Sequence, residues 1–223
     1  MKVVEAGYEI LTPISKGALD ELKHIEQIAR VCYKSEGNIT EDGESAKRLI
    51  RQLIKNHHEA MLEHSTLAVK FICDRGVSHE LVRHRVASYA QESTRYCNYS
   101  GEKFNKNISV IGIINGINLQ IGDNTDDKTG ILSAEWIDAM QDAERHYMRM
   151  IELGASPQIA RSVLPTSTKT EIVITANYRE WRTILKLRTA KAAHPQMREV
   201  MIPLLKELQI KIPIIFEDIE DNA

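Results

Sequence analysis

The sequence predicts an α+β fold: one domain over residues 1–223, with a mixed or antiparallel sheet packed against several long helices. Two runs, 65–73 and 171–176, alternate their side chains with the two-residue period of a strand. Longer stretches around them repeat apolar residues every three or four positions, as amphipathic helices do. A chain of 223 residues, 43% of them hydrophobic, can bury a sizeable core without disulfides.

In chain order, KVVEAGYEILTP is expected to form one short strand that ends near Pro13. A helix over about 17–35 follows, with Leu22, Ile25, Ile28, Ala29 and Cys32 at helical spacing, and residues 38–43 break the chain. In the next helix Ala46, Leu49, Ile50, Leu53 and Ile54 share one face, opposite lysine and arginine. After the strand at 65–73, Ser78 is placed to cap a short helix carrying Glu80, Leu81, Val82 and Arg83-His84-Arg85, with Leu81 and Val82 as its apolar face.

Residues 98–131 read as a variable insert. Asn115-Gly116 between two β-like runs suits a two-residue hairpin turn. The Asp-rich loop after it lacks the glycine position and closing glutamate of a calcium loop. Ser133 then opens a long helix to Leu153, with Ile137, Met140, Tyr147 and Ile151 inward and Gly154 at its stop. Ser156-Pro157 starts a short helix that Leu164-Pro165 ends. The strand at 171–176 leads to a helix capped by Asn177, on which Trp181, Ile184, Leu185 and Arg188 fall on one face. The last helix begins at Pro195, turns Met197, Val200, Met201, Leu204 and Leu205 inward, and is kinked by Pro203.

Composition excludes several classes. A net charge of -2 argues against a general nucleic-acid binder. Cys32, Cys73 and Cys97 form no CxxC pair and are expected as reduced thiols of a cytoplasmic protein. No apolar run approaches the roughly eighteen residues of a membrane span, and no cationic-then-apolar leader is present. The stretch HHEAMLEH invites a metal reading, but His58 and His64 do not have the four-residue spacing of a zinc-protease helix, and Ala60 occupies the position where the inverted motif needs histidine. No metal is expected.

The chemistry concentrates in residues 83–95, RHRVASYAQESTR. Arg83, His84, Arg85 and Arg95 stand there beside Ser88, Gln91, Ser93 and Thr94. Arginine forks match phosphate or carboxylate oxygens in pairs, so this string reads as an anion pocket. Arg188 is the second anomaly. A charged side chain in register with an apolar stripe must snorkel to water or meet a polar partner.

The string RHR, seven residues, serine, then arginine two further on resembles the signature of the flavin-dependent thymidylate synthases. The His-Glu stretch at 57–64, the helix NYREWRTILKLR and the following AAHP also resemble that family. The resemblance covers roughly 55–97 and 140–208 and leaves the insert outside. It implies that FAD is contacted by His58, Arg83, His84, Arg85, Gln91, Asn177, Arg179 and Thr183. It implies deoxyuridylate contacts from Glu80, Arg83, Gln91, Glu92, Ser93, Thr94, Arg95, Arg161 and Arg188, with Ser93 and Arg95 on the phosphate. Arg188 is the implied catalytic residue, placed to favour loss of the pyrimidine N3 proton. Ser93 binds rather than attacks, since the sequence marks no base beside it.

The implied reaction moves methylene from 5,10-methylenetetrahydrofolate to deoxyuridylate and reduces it with a hydride from FAD that NADPH has reduced. A homotetramer with shared active sites is also implied. Three positions depart from the family pattern: Glu80 stands in place of glutamine, Cys32 in place of serine, and Thr183 in place of an amide or imidazole. No GxGxxG occurs in the chain, so the flavin rests on the resemblance alone. The competing readings are a non-catalytic nucleotide- or RNA-binding module using the same arginines, and a zinc hydrolase built on HHEAMLEH.

Overall fold

The computed structural model describes residues 1–113 and 128–220. In chain order the elements are β1 (Lys2–Val4), β2 (Gly7–Ile10), α1 (Leu19–Val31), α2 (Glu44–Lys55), β3 (Thr66–Asp74), α3 (Arg75–Leu81), β4 (Ala87–Gln91), β5 (Ser109–Ile111), α4 (Lys128–Glu152), α5 (Pro157–Ala160), β6 (Lys169–Asn177), α6 (Tyr178–Arg188), α7 (Pro195–Lys211) and α8 (Pro213–Phe216). The fold is α+β. Strands β2, β3, β6 and β4 form, in that order, a four-stranded antiparallel sheet, and β1 and β5 form a small parallel one.

The described residues group into two compact units: Met1–Gly7, Phe71–Arg83 and those within 90–172 in the first, Tyr8–Lys70, His84–Tyr89 and 173–220 in the second. The first unit is built around α4. Tyr99, Ile108, Val110, Met140, Tyr147 and Ala160 form its buried cluster, with Trp136, Ile151 and Leu164 packed at the margin. The ring of Tyr99 meets Phe104 edge-on at 5.1 Å, a preferred aromatic geometry. The N-terminal ammonium anchors on Glu144 of α4 at 2.5 Å, which fixes the start of β1.

In the second unit α1 packs on α2, α2 on α8, and α6 on both α7 and the 3-10 turn Glu59–His64. Leu22, Ile25, Ile50, Leu62, Leu67, Trp181, Ile184 and Leu205 are fully buried there. Gly43 opens α2 at φ 75, in the left-handed region, where any side chain would collide with Leu19. The Trp181 indole N–H donates to the Leu67 carbonyl at 2.9 Å, giving the largest core ring its polar partner. Glu26 lies fully buried on the inner face of α1, where Arg30 donates to it at 2.7 Å and the Ser45 hydroxyl at 2.8 Å.

Arg182 of α6 is also buried. Its guanidinium donates to Asp218 at 2.6 and 2.7 Å, to Glu59 at 3.2 and 3.3 Å, and to the Ile215 carbonyl. One side chain thus ties α6 to the 3-10 turn and to the chain following α8. All five guanidinium donors have work here, which is the condition for burying such a cation.

Several sequence expectations change. The single strand at 2–13 is two strands, because β1 pairs with β5 in the register Lys2↔Ser109, Val3↔Val110, Val4↔Ile111 while β2 joins the larger sheet. A local pattern cannot announce a partner that distant. The cap of α3 is Asp74, whose carboxylate accepts from the Val77 N–H at 2.6 Å, and Ser78 lies buried inside the helix. The helix therefore ends before Arg83-His84-Arg85, and Val82 is exposed rather than inward. α4 begins at Lys128, with Ser133 buried within it. The Asn115-Gly116 hairpin and the Asp-rich loop lie outside the described residues.

Candidate active site

Within the first unit, the turn after β4 gathers several of the residues expected to hold the nucleotide. The Ser93 carbonyl accepts from the N–H groups of Tyr96 and Cys97 at 3.1 and 2.9 Å, closing a turn whose tip carries Thr94 and Arg95. Arg95 is exposed, with its guanidinium over the Tyr96 ring at 5.4 Å. Arg161 follows α5 and its Nη1 donates to Thr94 Oγ1 at 3.4 Å. Thr94 and Arg161 line a cleft of about 420 Å³, together with Arg75, His79 and Thr166. The sequence reading had not selected Arg75 or His79. They enter because α3 starts at Arg75, which puts His79 one turn further along the same face.

Gln91 has its orientation dictated by its neighbours. The Ser78 hydroxyl donates to the Arg75 carbonyl at 2.9 Å, so its oxygen can only accept from Gln91 Nε2, also at 2.9 Å. The amide nitrogen further meets Thr170 Oγ1 at 3.3 Å. Glu92 is committed to the protein itself: Tyr99 Oη donates to it at 3.1 Å and Lys169 Nζ at 3.2 Å. Burial and then the Glu92 charge hold the Tyr99 hydroxyl well above its ordinary range, so it stays a donor. The Arg83 N–H bonds the Glu80 carbonyl at 3.2 Å, and its side chain is exposed.

Within the second unit, His84 is 8% exposed although both its arginine neighbours are open to solvent. Its Nε2 accepts from Arg188 Nε at 3.0 Å, and its Nδ1 lies 3.5 Å from Glu180 Oε1. Burial, and then the Arg188 charge, push the imidazole pKa down to about 4. Asn177 caps α6 as expected, its Oδ1 accepting from the Glu180 N–H at 2.8 Å. Arg179 pairs with Glu63 at 2.6 Å, and the Thr183 hydroxyl donates to the Arg179 carbonyl at 3.3 Å. His58 is exposed where the chain enters the 3-10 turn. Asn177, Arg179 and Thr183 thus share the first turns of α6, and Arg188 closes it.

Two further residues escaped the sequence reading. Glu180 follows Asn177 at the spacing of a capping box, a signal that could have marked it. Arg182 lies with buried Tyr178 and Leu185 at i, i+4 and i+7, so a second stripe on α6 was legible. Among the described residues no group of histidine, cysteine and acidic side chains could hold a metal ion, and no helix is long and apolar enough to cross a membrane. The buried Cys73 thiol is pushed up to about 12 by burial and by the adjacent Asp74 charge, which removes it as a nucleophile at neutral pH.

The donor set suits an anionic dinucleotide. Arg85 and Arg179 are exposed cations, and His58, Asn177 and Thr183 add further polar groups, the chemistry that a diphosphate and a flavin ring edge would require.

Comparison with known proteins agrees. The family model described as thymidylate synthase complementing protein matches residues 17–214, a span that begins well before the signature and runs across the insert. A flavin-dependent thymidylate synthase of Corynebacterium aurimucosum is 30% identical over 210 residues, which cover 92% of this chain and 82% of that one. One from Mycobacterium sp. (strain JLS) is 31% identical, covering 88% and 79%. Another, from Thermococcus kodakarensis, is 36% identical over 152 residues, or 68% and 57%.

Proposed function

Since this chain belongs to the flavin-dependent thymidylate synthases, enzymes that are methyltransferases, we propose that it converts deoxyuridylate to thymidylate with the residues described above. The carbon donor is 5,10-methylenetetrahydrofolate, the bound cofactor is FAD, NADPH is the reductant, and the reaction takes place in the cytoplasm. The observation that supports this reading best is the meeting of Thr94 and Arg161 beside Arg75 and His79 in one cationic cleft, since a nucleotide phosphate needs such donors. The module without catalysis and the zinc hydrolase fall with the family membership.

Ser93, Thr94, Arg95 and Arg161 bind the phosphate, and Glu80, Arg83 and Gln91 orient the nucleoside, while Glu92 holds the turn beside them through Tyr99 and Lys169. The Gln91 amide nitrogen is tied to Ser78, so the carbonyl is the end it offers to ligand donors. Arg188 lies against the pyrimidine, where a fixed cation favours the N3-deprotonated form and enriches C5 for attack on the one-carbon unit. His58, Arg83, Arg85, Asn177, Arg179 and Thr183 hold the flavin, which supplies hydride when bound. Gln91 contributes there too, and the buried His84 separates the two exposed arginines of the signature.

The direct test is thymidylate formation by the purified protein, dependent on added FAD, NADPH and the folate. Arg161→Ala should raise the KM for deoxyuridylate about 10–100-fold while leaving kcat close to wild type, the loss of one charge-assisted contact made equally in ground and transition states. An unchanged KM would remove Arg161 from the nucleotide site.

The protein is further proposed to act as a homotetramer with shared sites. Arg83→Ala and Arg188→Ala subunits, each strongly impaired alone, should regain activity when mixed and allowed to exchange. No recovery despite exchange, followed by native mass spectrometry, would show that each chain completes its own site.

A further inference from the structure

Glu180 has no assigned task, yet it stands at one end of a chain of side chains that finishes on Arg188. The Arg188 Nε–H donates to His84 Nε2 at 3.0 Å. A guanidinium only donates, so that ring nitrogen carries its lone pair and the imidazole proton sits on Nδ1. Nδ1 faces the Glu180 carboxylate at 3.5 Å. Glu180 and Arg188 lie at opposite ends of α6, about 12 Å apart along the axis, and the buried imidazole lies between their side chains. The middle of this arrangement and its Glu180 end are fixed. The Tyr89 hydroxyl donates to the His84 carbonyl at 2.6 Å, and Asn177 caps the N–H of Glu180. Both ring nitrogens of His84 therefore face protein groups.

We propose that Glu180 and His84 are positioning residues for Arg188: the carboxylate holds the Nδ1–H tautomer of the imidazole, and its Nε2 holds the guanidinium in the rotamer used against the pyrimidine. This rests on the reading of Arg188 as the group beside the pyrimidine. An arginine side chain loses much freedom on being fixed, and an acceptor that fixes it beforehand removes that ordering from the reacting complex. The acceptor must be neutral, because an imidazolium would have no lone pair and would repel Arg188. Among the described residues, the charged groups facing the ring are Arg188 and Glu180, with the neutral Tyr89 hydroxyl at its backbone. His84 resists protonation down to about pH 4, through burial first and the Arg188 charge second, while burial raises the Glu180 pKa.

The test compares the flavin-loaded enzyme with its Glu180→Leu, Glu180→Gln and Arg188→Met variants, by steady-state kinetics and by side-chain 15N NMR of His84 without substrate. Glu180→Leu should lower kcat about 10-fold or more with the KM for deoxyuridylate and the flavin content retained, and Glu180→Gln, which keeps a carbonyl acceptor, should restore most of it. In the parent enzyme His84 should show the Nδ1–H tautomer, and Arg188→Met should raise its pKa. An Nε2–H tautomer in the parent enzyme overturns the proposal. So does an unchanged kcat in Glu180→Leu while Arg188→Met is impaired, or an equal fall in both Glu180 variants with flavin lost, which marks a structural role. If Arg188→Met keeps full kcat although the tautomer is as stated, it is the reading of Arg188 that fails.

Discussion

Replacing Arg188 by alanine is expected to lower kcat about 10²–10³-fold, the scale seen when one preorganised donor is taken from a developing anion. The side chain sits at the last turn of α6, in register with Trp181, Ile184 and Leu185, and its Nε is held by a neutral, buried histidine. Arg188→Lys should recover only part of the loss. Lysine keeps the charge but is a point donor on a flexible stem, and it has no second nitrogen with which to meet His84 while facing a pyrimidine. Single-turnover conversion of deoxyuridylate with bound flavin measured in parallel separates this from loss of cofactor. A lysine variant as fast as the parent would show that charge alone, without the His84 contact, is sufficient.

Removing the Arg182 guanidinium should have the largest effect on stability. Arg182→Met should cost roughly 2–4 kcal/mol in chemical denaturation, toward the lower end of values for breaking buried pairs because Asp218 remains partly hydrated. Three acceptors lose their partner at once: Glu59, Asp218 and the Ile215 carbonyl. Asp218→Asn should cost less, since that side chain is 44% exposed. The pH dependence has a definite sign. Hydrogen bonding to Arg182 lowers the Asp218 pKa below 3.8, so its contribution is fully present above that value and is lost as pH falls through the folded-state pKa. A methionine variant with the parent's denaturation midpoint would mean that α8 and the residues after it are held by their apolar packing alone.

The helices were legible because their signals are local. The stripe Ala46, Ile50, Ile54 and the Asn177 cap needed no knowledge of the rest of the chain, and both stand in α2 and α6 as read. The strand partners were not legible. Lys2 and Ser109 carry nothing in their own neighbourhoods that announces the pairing of β1 with β5. The start of α3 was missed for a different reason: Ser78 stood as the cap candidate, whereas Asp74 caps the helix, which tolerates Gly76 in its first turn. In the candidate site, Arg188 stood out as a cation in an apolar register, but its partner lies 104 positions away and only the folded chain brings His84 to it. Arg182 was not singled out, although Tyr178 and Leu185 flank it on a second buried stripe.

The measurement that bears most directly on the central claim is the visible absorption spectrum of the purified protein during a titration with deoxyuridylate. Oxidised-flavin bands that shift as nucleotide is added, with saturation weakened in Arg161→Ala, are the expected result and would join cofactor and substrate on this one chain. A colourless protein that takes up no added FAD would contradict the account, leaving the arginines of residues 83–95 as a nucleotide pocket without redox chemistry.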